Sequence, residues 1–399
     1  MDMHIIIDAT TTQDQLSYAG IGQYTKSIIF ALVKAFPQTQ YSILLFDEKV
    51  STLEPIIESF KNVKIERVGK CRLNDYKNDI YYLTQILPVI NKIKTKDSIY
   101  YCPYFWRNFP SYTMPTVLFV HDMNLPMFNM YSQQSNIHNF IRKIQYWLTL
   151  NKAMKCKYIV TNSQTSLDDF LRYYPQYPKS NTCVSYLGAD MEEKEVNISN
   201  VLPKDYKERK YVIYLGGALN WTKNTDGVIK GYAEFLKLLD PNKKPPYLII
   251  AGKIFKDESK KEVQEFHRLI SELGIEESVI FTGFYKDEEK FSLLKNAFAF
   301  MHLALYEGFG ISPLEAIRSK TPTVIHESNV YKEVFKDMAI FVNGKDEKEV
   351  GKTLYDIYTN PNKYKEKLEK AYILSKKYSW EATAEKTHKV FESIANDCN

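Results

Sequence analysis

Short apolar segments alternate with longer amphipathic segments along the whole chain, and this alternation constrains the fold more than any other feature. The short segments are rich in isoleucine, valine, leucine and tyrosine, and the longer ones have the helical period. Repeated strand–helix units of this kind predict an α/β fold with parallel sheets. The predicted strands fall into two sets, at residues 4–8, 41–46, 98–101, 116–120, 158–161 and 182–185, and at 211–215, 247–251, 279–282, 299–303 and 323–325.

A polar segment without a clear period, residues 192–210, separates the two sets and is the predicted linker. Each set has the length of one domain, since domains commonly have about 100 to 200 residues. We therefore expect two Rossmann-like, doubly wound domains at residues 1–200 and 201–379. Ligands of such sheets bind beyond the carboxyl ends of the strands. The two domains are expected to face each other across a cleft that holds the ligand.

Composition excludes several other classes of protein. The 399 residues are 44% hydrophobic and 25% charged, which is typical of a globular chain rather than a disordered or fibrous one. With 53 basic and 48 acidic residues, the charge balance does not indicate a nucleic-acid-binding protein. The five scattered cysteines form no Cys-x-x-Cys pair and favour a reducing compartment. No signal peptide or apolar run of about 20 residues is apparent, so we expect a cytoplasmic protein.

The segment 306–316, YEGFGISPLEA, is the most informative motif and lies between a predicted strand and a predicted helix. Gly308 and Gly310 would allow the backbone to approach a ligand closely. Ser312 followed by Pro313 resembles a helix N-cap with proline at the first helical position. The amide groups of residues 309–312 would then face an anion such as a diphosphate.

A structural role can be predicted for one of the two glutamates of this segment but not for the other. Glu315 is expected to complete a capping box with Ser312. Glu307 has no comparable structural explanation, because a carboxylate at the mouth of a glycine loop is costly without a ligand or partner. Two glycine turns, at residues 20–22 and 216–217, are also candidates for phosphate binding, although glycine in such turns usually has a structural reason.

Glu307 and Glu315, with seven residues between them, resemble the Glu-x7-Glu signature of retaining glycosyltransferases of the GT-B fold, particularly family 4. Other segments resemble further motifs of that family, in the same order along the chain. They are YAGIGQYT at 18–25, VHD at 120–122, TNSQTS at 161–166, YLGAD at 186–190, the segment from YLGG at 214–217 to Lys223-Asn224, TPTV at 321–324 and EV at 333–334.

The resemblance implies a role for each matching residue. Glu315 would accept hydrogen bonds from the ribose hydroxyls of a nucleotide sugar, and Glu307 would hold hydroxyls of the donor sugar. Lys223 would neutralise the leaving diphosphate, and Gly22 would let the first domain's loop close on it. His121 would lie beside the anomeric centre and orient the sugar or stabilise its charge.

Backbone amides complete the donor site that the resemblance implies. They belong to Phe309, Gly310, Ile311 and Ser312. The chain departs from the family at Thr222, where the family often has arginine before the lysine. A cation from elsewhere, such as Lys253 after the predicted strand 247–251, would compensate.

Preorganised donors and a lysine can stabilise a departing diphosphate without a metal, and no Asp-x-Asp triplet follows a predicted strand. We therefore expect no cofactor and no metal, and transfer with retention in which the departing phosphate takes the acceptor's proton. The alternative, a covalent glycosyl-enzyme, requires two carboxylates about 5 Å apart across the sugar. Sequence leaves this alternative open.

The resemblance also suggests partners. The first domain would bind a glycan or lipid-linked acceptor, the second the nucleotide-sugar donor, and the last helix, 380–399, would cross back onto the first domain. The motifs resemble mannosyltransferases of O-antigen and capsule assembly, which favours GDP-mannose over UDP-glucose or UDP-N-acetylglucosamine. The choice of base would depend on loops near Lys253 and residues 283–285. A non-catalytic nucleotide- or glycan-binding partner and an epimerase of the same architecture are the alternatives from other classes.

One predicted helix, residues 136–157, combines apolar and aromatic residues with basic ones and has no acidic residue. Arg142 and Lys143 would suit contact with an anionic membrane at the inner face of the cell membrane. A core-facing helix with a solvated basic edge explains the pattern equally well. The remaining histidines lack metal-ligand spacing and are expected to be hydrogen-bonded or solvated; they are His4, His138, His267, His302, His326 and His388.

Overall fold

The structure, a computed structural model, describes residues 3–13, 17, 20–47, 51–70, 82–105, 114–123, 151–189 and 191–397. The chain forms two compact units. The first comprises Met1–Gly188 and Ser379–Asn399, and the second comprises Ala189–Tyr378. Residues 189–200, which the sequence analysis assigns to the first domain, thus belong to the second unit.

The first unit is built on a parallel sheet. Its described strands are β1 (His4–Asp8), β2 (Gln40–Leu45), β3 (Val63–Arg67), β4 (Ser98–Cys102), β5 (Thr116–Val120), β6 (Tyr158–Thr161) and β7 (Thr182–Val184). They lie in the order β3-β2-β1-β4-β5-β6-β7, and neighbouring strands are parallel. The strand order reverses at β1, so the carboxyl ends of β1 and β4 flank a crevice of the kind that binds ligands in α/β proteins.

Sequence analysis predicts six of these strands and misses β3. Lys64, Glu66 and Arg67 give β3 a charged, half-exposed sequence, whereas residues of the inner strands β4 and β5 are fully buried. An edge strand pairs on one side only and tolerates such charges. Its sequence therefore lacks the apolar run that identifies the other strands.

Helices cover the first sheet. The described ones before the second unit are α1 (Gly20–Ala35), α2 (Glu54–Ile57), α3 (Leu87–Ile93) and α4 (Gln164–Tyr173). Helix α4 begins with a regular N-cap, in which the Ser163 hydroxyl accepts a hydrogen bond from the Ser166 amide at 3.0 Å. The motif TNSQTS at 161–166 thus ends β6 and starts the next helix.

The second unit has a parallel sheet of its own. Its strands are β8 (Tyr211–Leu215), β9 (Tyr247–Ala251), β10 (Val279–Gly283), β11 (Ala299–His302), β12 (Thr323–His326) and β13 (Ile340–Val342), in the order β10-β9-β8-β11-β12-β13. Neighbouring strands are again parallel. The order reverses at β8, between β9 and β11, so the loops that follow β8 and β11 meet at the same edge of this sheet.

Strand β13 is absent from the sequence prediction. It has three residues and follows a short 3-10 helix, Lys336–Met338. A short apolar run in that position is also compatible with the end of a helix, because periodicity cannot distinguish the two. The eight helices described in this unit are α5 (Tyr206–Arg209), α6 (Thr225–Leu236), α7 (Lys261–Glu272), α8 (Asp287–Lys295), α9 (Ile311–Arg318), α10 (Asn329–Phe335), α11 (Glu347–Thr359) and α12 (Lys365–Ser375).

The last helix, α13 (Trp380–Asp397), belongs to the first unit and packs against α1. The His388 ring stacks on the Phe36 ring with centroids 3.6 Å apart, and its Nε2 lies 3.0 Å from the Thr39 hydroxyl. Gly188 touches the start of the helix, because a Cβ at this position would meet the backbone of Trp380. Burial of these contacts fixes α13 on the first sheet's layer of helices.

Several sequence predictions concern residues that the structure does not describe. Of the predicted basic helix 136–157, residues 136–150 lie outside the described residues, including Arg142 and Lys143. Other members of motifs that lie outside are Tyr18, Ala19, Cys71, His138, Asp190 and Cys398. Within the described part of the chain, no helix is both long and apolar enough to cross a bilayer.

Helices α6 and α11 pack with their backbones in close approach. A Cβ on Gly351 would lie 2.7 Å from Glu234 Cβ and 2.8 Å from the Phe235 nitrogen, and a Cβ on Gly231 would lie 2.8 Å from Val350 Cβ. Glycine lowers helix propensity. Its presence in both helices is explained by the absence of room for a side chain between them.

We expect Gly351→Val to lower the free energy of unfolding by about 1–3 kcal/mol, because the added atoms force the two helices apart. Urea denaturation measures this change. Lys352→Ala, at an exposed position of the same helix, is the matched control and should change stability by less than about 0.5 kcal/mol. A Gly351→Val variant as stable as the wild type would show that the helices do not require this contact.

Candidate functional site

The loops that follow β8, β11 and β13 are joined by hydrogen bonds at the carboxyl edge of the second sheet. The Leu305 amide donates to the Thr222 carbonyl at 2.7 Å. The side-chain amide of Asn224 donates to the carbonyls of Leu303 at 3.1 Å and Gly344 at 2.8 Å. Asn224 has the left-handed conformation, with φ of 53°, which asparagine tolerates better than most residues. The Lys223-Asn224 motif therefore fixes the position of the loop that carries Glu307.

Lys223, Glu307 and His302 form one cluster at this edge. The Lys223 ammonium donates to Glu307 Oε1, and His302 Nε2 lies 3.3 Å from the same oxygen. The Lys223 and Glu307 side chains are 22% and 19% exposed. Burial alone would raise the pKa of Glu307, but Lys223 and His302 outweigh it and lower the pKa to about 2. Glu307 is therefore a carboxylate at neutral pH.

Burial lowers the pKa of His302, although Glu307 opposes this shift, so the imidazole is neutral at pH 7. Since a carboxylate can only accept, Nε2 carries the proton and donates to Glu307. Its Nδ1 is buried and has no hydrogen-bond partner within the described parts of the chain. The expectation that His302 is an ordinary hydrogen-bonded or solvated histidine does not include this contact with Glu307. The place of His302 as the last residue of β11, five residues before Glu307, is the signal that could have identified it.

Helix α9 begins earlier than predicted. Gly310, with φ of 99°, is its N-cap, and the first helical residue is Ile311. A side chain on Gly310 would meet the Tyr331 ring at 2.8 Å. Ser312 lies within the first turn, so the predicted N-cap at Ser312 is wrong. The tight left-handed turn at glycine already starts the helix, and Pro313 is tolerated in a first turn.

The early helix start decides which amides can bind an anion. The first turn of a helix leaves amide groups without intrahelical acceptors, and here these include Ile311 and Ser312. The Phe309 side chain is 2% exposed, and its ring packs 5.7 Å from the Tyr378 ring and 6.5 Å from the Phe335 ring. It anchors the glycine loop to the core of the unit.

Glu315 does not form the predicted capping box. It is 6% exposed, and its Oε1 accepts a hydrogen bond from Lys290 Nζ at 2.9 Å. Burial opposes the charge of Lys290, but Glu315 outweighs it and raises the pKa of the ammonium. The capping prediction fails because Ser312 is two residues inside the helix. Lys290 was missed because the sequence DEEK is typical of a solvated helix end.

Glycines close the carboxyl ends of β8, β9 and β10. The Gly216 amide donates to the Ala251 carbonyl at 3.0 Å, and the Gly252 amide donates to the Gly283 carbonyl at 3.0 Å. Gly252 has φ of 149°, and a Cβ there would collide with the Gly216 carbonyl oxygen. Lys253 follows at the start of a 3-10 helix with an exposed side chain. Glycine at these positions leaves room for the three strand ends to approach one another closely.

Thr222, which stands where the family often has arginine, is fully buried. Its hydroxyl donates to Asn220 Oδ1 at 2.9 Å, and its carbonyl accepts from Leu305. The residue thus stabilises the turn before Lys223 and supplies no cation.

In the first unit, His121 follows β5. Its Nε2 donates to the Pro103 carbonyl at 2.9 Å, and burial, opposed by this hydrogen bond, lowers the pKa to about 4. The Tyr24 ring meets the His121 ring edge-on with centroids 4.8 Å apart. Gly22, two residues before Tyr24, is buried in the first turn of α1. The glycine motif and His121 therefore lie together in this unit.

Within the described residues, no three His, Cys, Asp or Glu side chains form a group that could hold a metal ion. The cysteines described, Cys102, Cys156 and Cys183, are not in disulfide bonds.

We expect Lys223→Met to lower the stability of the protein by about 2 kcal/mol at pH 7, because Glu307 loses its cation while remaining largely buried. The folded-state pKa of Glu307 lies below the ordinary value of 4.5, so its stabilising effect is present above pH 4.5 and lost as the pH falls toward 2. The difference from the wild type should therefore be smaller at pH 4 than at pH 7 in urea denaturation.

Lys230→Met is the matched control, since this lysine is 40% exposed and pairs with Asp226 on the surface of α6. Its effect should stay below about 0.5 kcal/mol. A Lys223→Met difference that is equal at both pH values would contradict the dependence of Glu307 ionisation on Lys223.

Comparison with known proteins gives a matching family model and several relatives at low identity. Residues 200–391, just under half of the chain, match the family model of glycosyl transferases group 1. The O-antigen chain mannosyltransferase RfbU of Salmonella typhimurium is 25% identical over 53% of this chain and 54% of its own length. The serotype-specific mannosyltransferase WbdA of Escherichia coli is 23% identical over 96% of this chain and 47% of its own. The chain thus spans about half the length of the curated relatives it matches.

Solved structures share the fold at low identity. Anabaena HepE, in complex with UDP and glucose, superposes with a TM-score of 0.70 at 16% identity, over 98% of this chain and 100% of its own. WaaG, a glycosyltransferase involved in lipopolysaccharide biosynthesis, gives 0.68 at 14% identity over 98% and 99%. Sucrose-phosphate synthase from Thermosynechococcus elongatus gives 0.75 at 13% identity over 99% and 100%. The predicted GT-B fold class is confirmed, and residues 200–391 match the family of glycosyl transferases group 1.

Proposed function

We propose that the protein is a retaining, metal-independent glycosyltransferase of family 4 that transfers a hexose from a nucleotide sugar to a glycan or lipid-linked acceptor. The observation that carries this proposal is the cluster of Lys223, Glu307 and His302 beside the N-terminus of α9. It places an ionised carboxylate, a lysine and helix amides at the switch point of one sheet.

Charge balance supports the roles assigned to Glu307 and Lys223. A carboxylate that stays ionised can accept hydrogen bonds from two sugar hydroxyls. Lys223 balances that charge in the structure described here, and its ammonium is the cation that we propose for the diphosphate of a donor. The amides of Ile311 and Ser312 supply additional positive potential for the diphosphate. Stabilisation of the leaving group would come from these fixed groups, which is why we propose that no metal is needed.

His121 suits an orienting role in this scheme. With a pKa of about 4 it is neutral at pH 7, and its Nε2 proton is already donated to the Pro103 carbonyl. A neutral imidazole held in this way can support a sugar without competing for the acceptor's proton, which the departing phosphate would take.

GDP-mannose is the proposed donor, and the mannosyltransferases RfbU and WbdA among the relatives support it. The complexes of HepE contain UDP with glucose and UDP-glucose, which keeps a UDP-sugar as the alternative. The name of RfbU favours an acceptor in O-antigen or another surface polysaccharide. Contact with an anionic membrane at the inner face of the cell membrane stays a proposal of the same kind.

We expect the nucleotide family of the donor to raise the melting temperature of the full chain, because a ligand that binds only the folded state stabilises it. A thermal-shift screen with GDP-mannose, GDP, UDP-glucose, UDP-N-acetylglucosamine and UDP measures this, and EDTA should not change it. Glu315→Ala should reduce the shift. The absence of a shift with every nucleotide would contradict the proposed donor class, and an EDTA-sensitive shift would contradict metal independence.

Glu307→Gln should separate the sugar site from the nucleotide site. We expect transfer activity to fall about 100-fold or more, since a charged acceptor of hydroxyl groups is replaced by a neutral amide. Binding of GDP alone, measured by calorimetry, should change much less than binding of GDP-mannose. Glu327→Gln, at an exposed ion pair with Lys332, is the matched control and should retain wild-type activity. An equal loss for GDP and GDP-mannose would show that Glu307 does not act on the sugar.

A further inference from the structure

Helix α8 carries one lysine that differs from its neighbours. The Lys290 side chain is 15% exposed, whereas Lys286 and Lys295 at the two ends of the helix are 65% and 45% exposed. Lys290 directs its ammonium to Glu315 on α9, at 2.9 Å, and reaches Asp287 at 3.9 Å. The buried lysine thus faces the second glutamate of the Glu-x7-Glu motif.

The Lys290–Glu315 ion pair joins α8 and α9 at a cost in desolvation free energy. Both groups lose most of their hydration, and apolar side chains of similar size usually hold helices together as well or better. The pair lies at the carboxyl edge of the sheet, since Tyr285, which follows β10, is close to both charges. Burial raises the pKa of Tyr285 to about 12; Lys290 opposes this shift and Glu315 adds to it. Since helix packing alone does not explain this buried ion pair, we consider a role in ligand binding.

The geometry leaves Glu315 able to bind something else. Within the described parts of the chain, its carboxylate bonds only to Lys290, through Oε1. A carboxylate offers about four acceptor positions, so most of them are available to other donors. Lys290 both balances the charge of the carboxylate and restricts its rotation.

We propose that Lys290 is a positioning residue for the nucleotide: it holds the Glu315 carboxylate in the orientation that accepts the two ribose hydroxyls. This inference rests on the proposed function, in which Glu315 binds the ribose. Without Lys290 the carboxylate would lose the hydrogen bond that orients it and would rotate among several conformations. The ribose hydroxyls would then lose charge-assisted hydrogen bonds, whereas the diphosphate and the base would keep their contacts.

The test compares nucleotides with and without ribose hydroxyls, because a purely structural role of Lys290 would not distinguish them. The probes are GDP and UDP and their 2′,3′-dideoxy counterparts. Dissociation constants are measured by calorimetry at pH 7 for the full chain and for Lys290→Met, Lys290→Gln and Glu315→Gln. Lys295→Met on the same helix is the matched control, since its ammonium pairs with exposed Glu195.

In the wild type and in Lys295→Met, we expect the ribonucleotide to bind about tenfold or more tightly than the dideoxy nucleotide. In Lys290→Met and Lys290→Gln this ratio should fall to about twofold, as in Glu315→Gln, with the affinity for the dideoxy nucleotide little changed. Two lysine variants are used so that a folding defect in one leaves the other as the test.

A wild-type ratio in either folded lysine variant would overturn the inference. So would an equal loss of affinity for the ribonucleotide and the dideoxy nucleotide, which would indicate a phosphate contact or a structural role. These results would leave the proposed function standing. Failure of the wild type to bind GDP or UDP would instead overturn the proposed function, and the inference with it.

Discussion

The contact between Lys223 and Glu307 joins the two loops on which the site of the second unit is built. These loops follow β8 and β11, which are neighbours because the strand order reverses at β8. Parallel pairing places their carboxyl ends at one edge, and Asn224 ties their backbones together. The charges of Lys223 and Glu307 then lie side by side where both side chains are partly buried, and each neutralises the other. The strand order therefore both places Glu307 at this edge of the sheet and brings Lys223 to it.

Balanced charge is the common property of the groups that are assigned to ligand binding in this unit. Glu307 is matched by Lys223 and receives a hydrogen bond from neutral His302, and Glu315 is matched by Lys290. Burial alone would raise the pKa of Glu307, but Lys223 and His302 outweigh it, so Glu307 is an acceptor at neutral pH. The structure therefore presents two carboxylates of different surroundings on either side of the N-terminus of α9.

The sheets and the Glu307–Glu315 motif are predictable from the sequence, whereas some local details of the structure are not. Apolar runs located eleven strands, whereas charged β3 and short β13 gave no such signal. The residues Ser312 and Pro313 suggested the start of a helix, yet the left-handed turn at Gly310 starts α9 earlier. Ser312 and Gly310 are both suitable residues for the start of a helix. The helix starts at Gly310, which packs closely against the Tyr331 ring.

Periodicity and motifs in the sequence predict the two parallel-sheet units, eleven of the thirteen described strands, and the segment with Glu307 and Glu315. Periodicity and motif spacing are local properties, and a single chain displays them without folding. Tertiary packing brings His302 to Glu307 and Lys290 to Glu315, and it buries Thr222 in the turn before Lys223. His302 is the last residue of β11, five residues before Glu307, but Lys290 and Glu315 lie on different helices. A contact between residues of two helices depends on how the helices pack, and a local sequence pattern does not predict that packing.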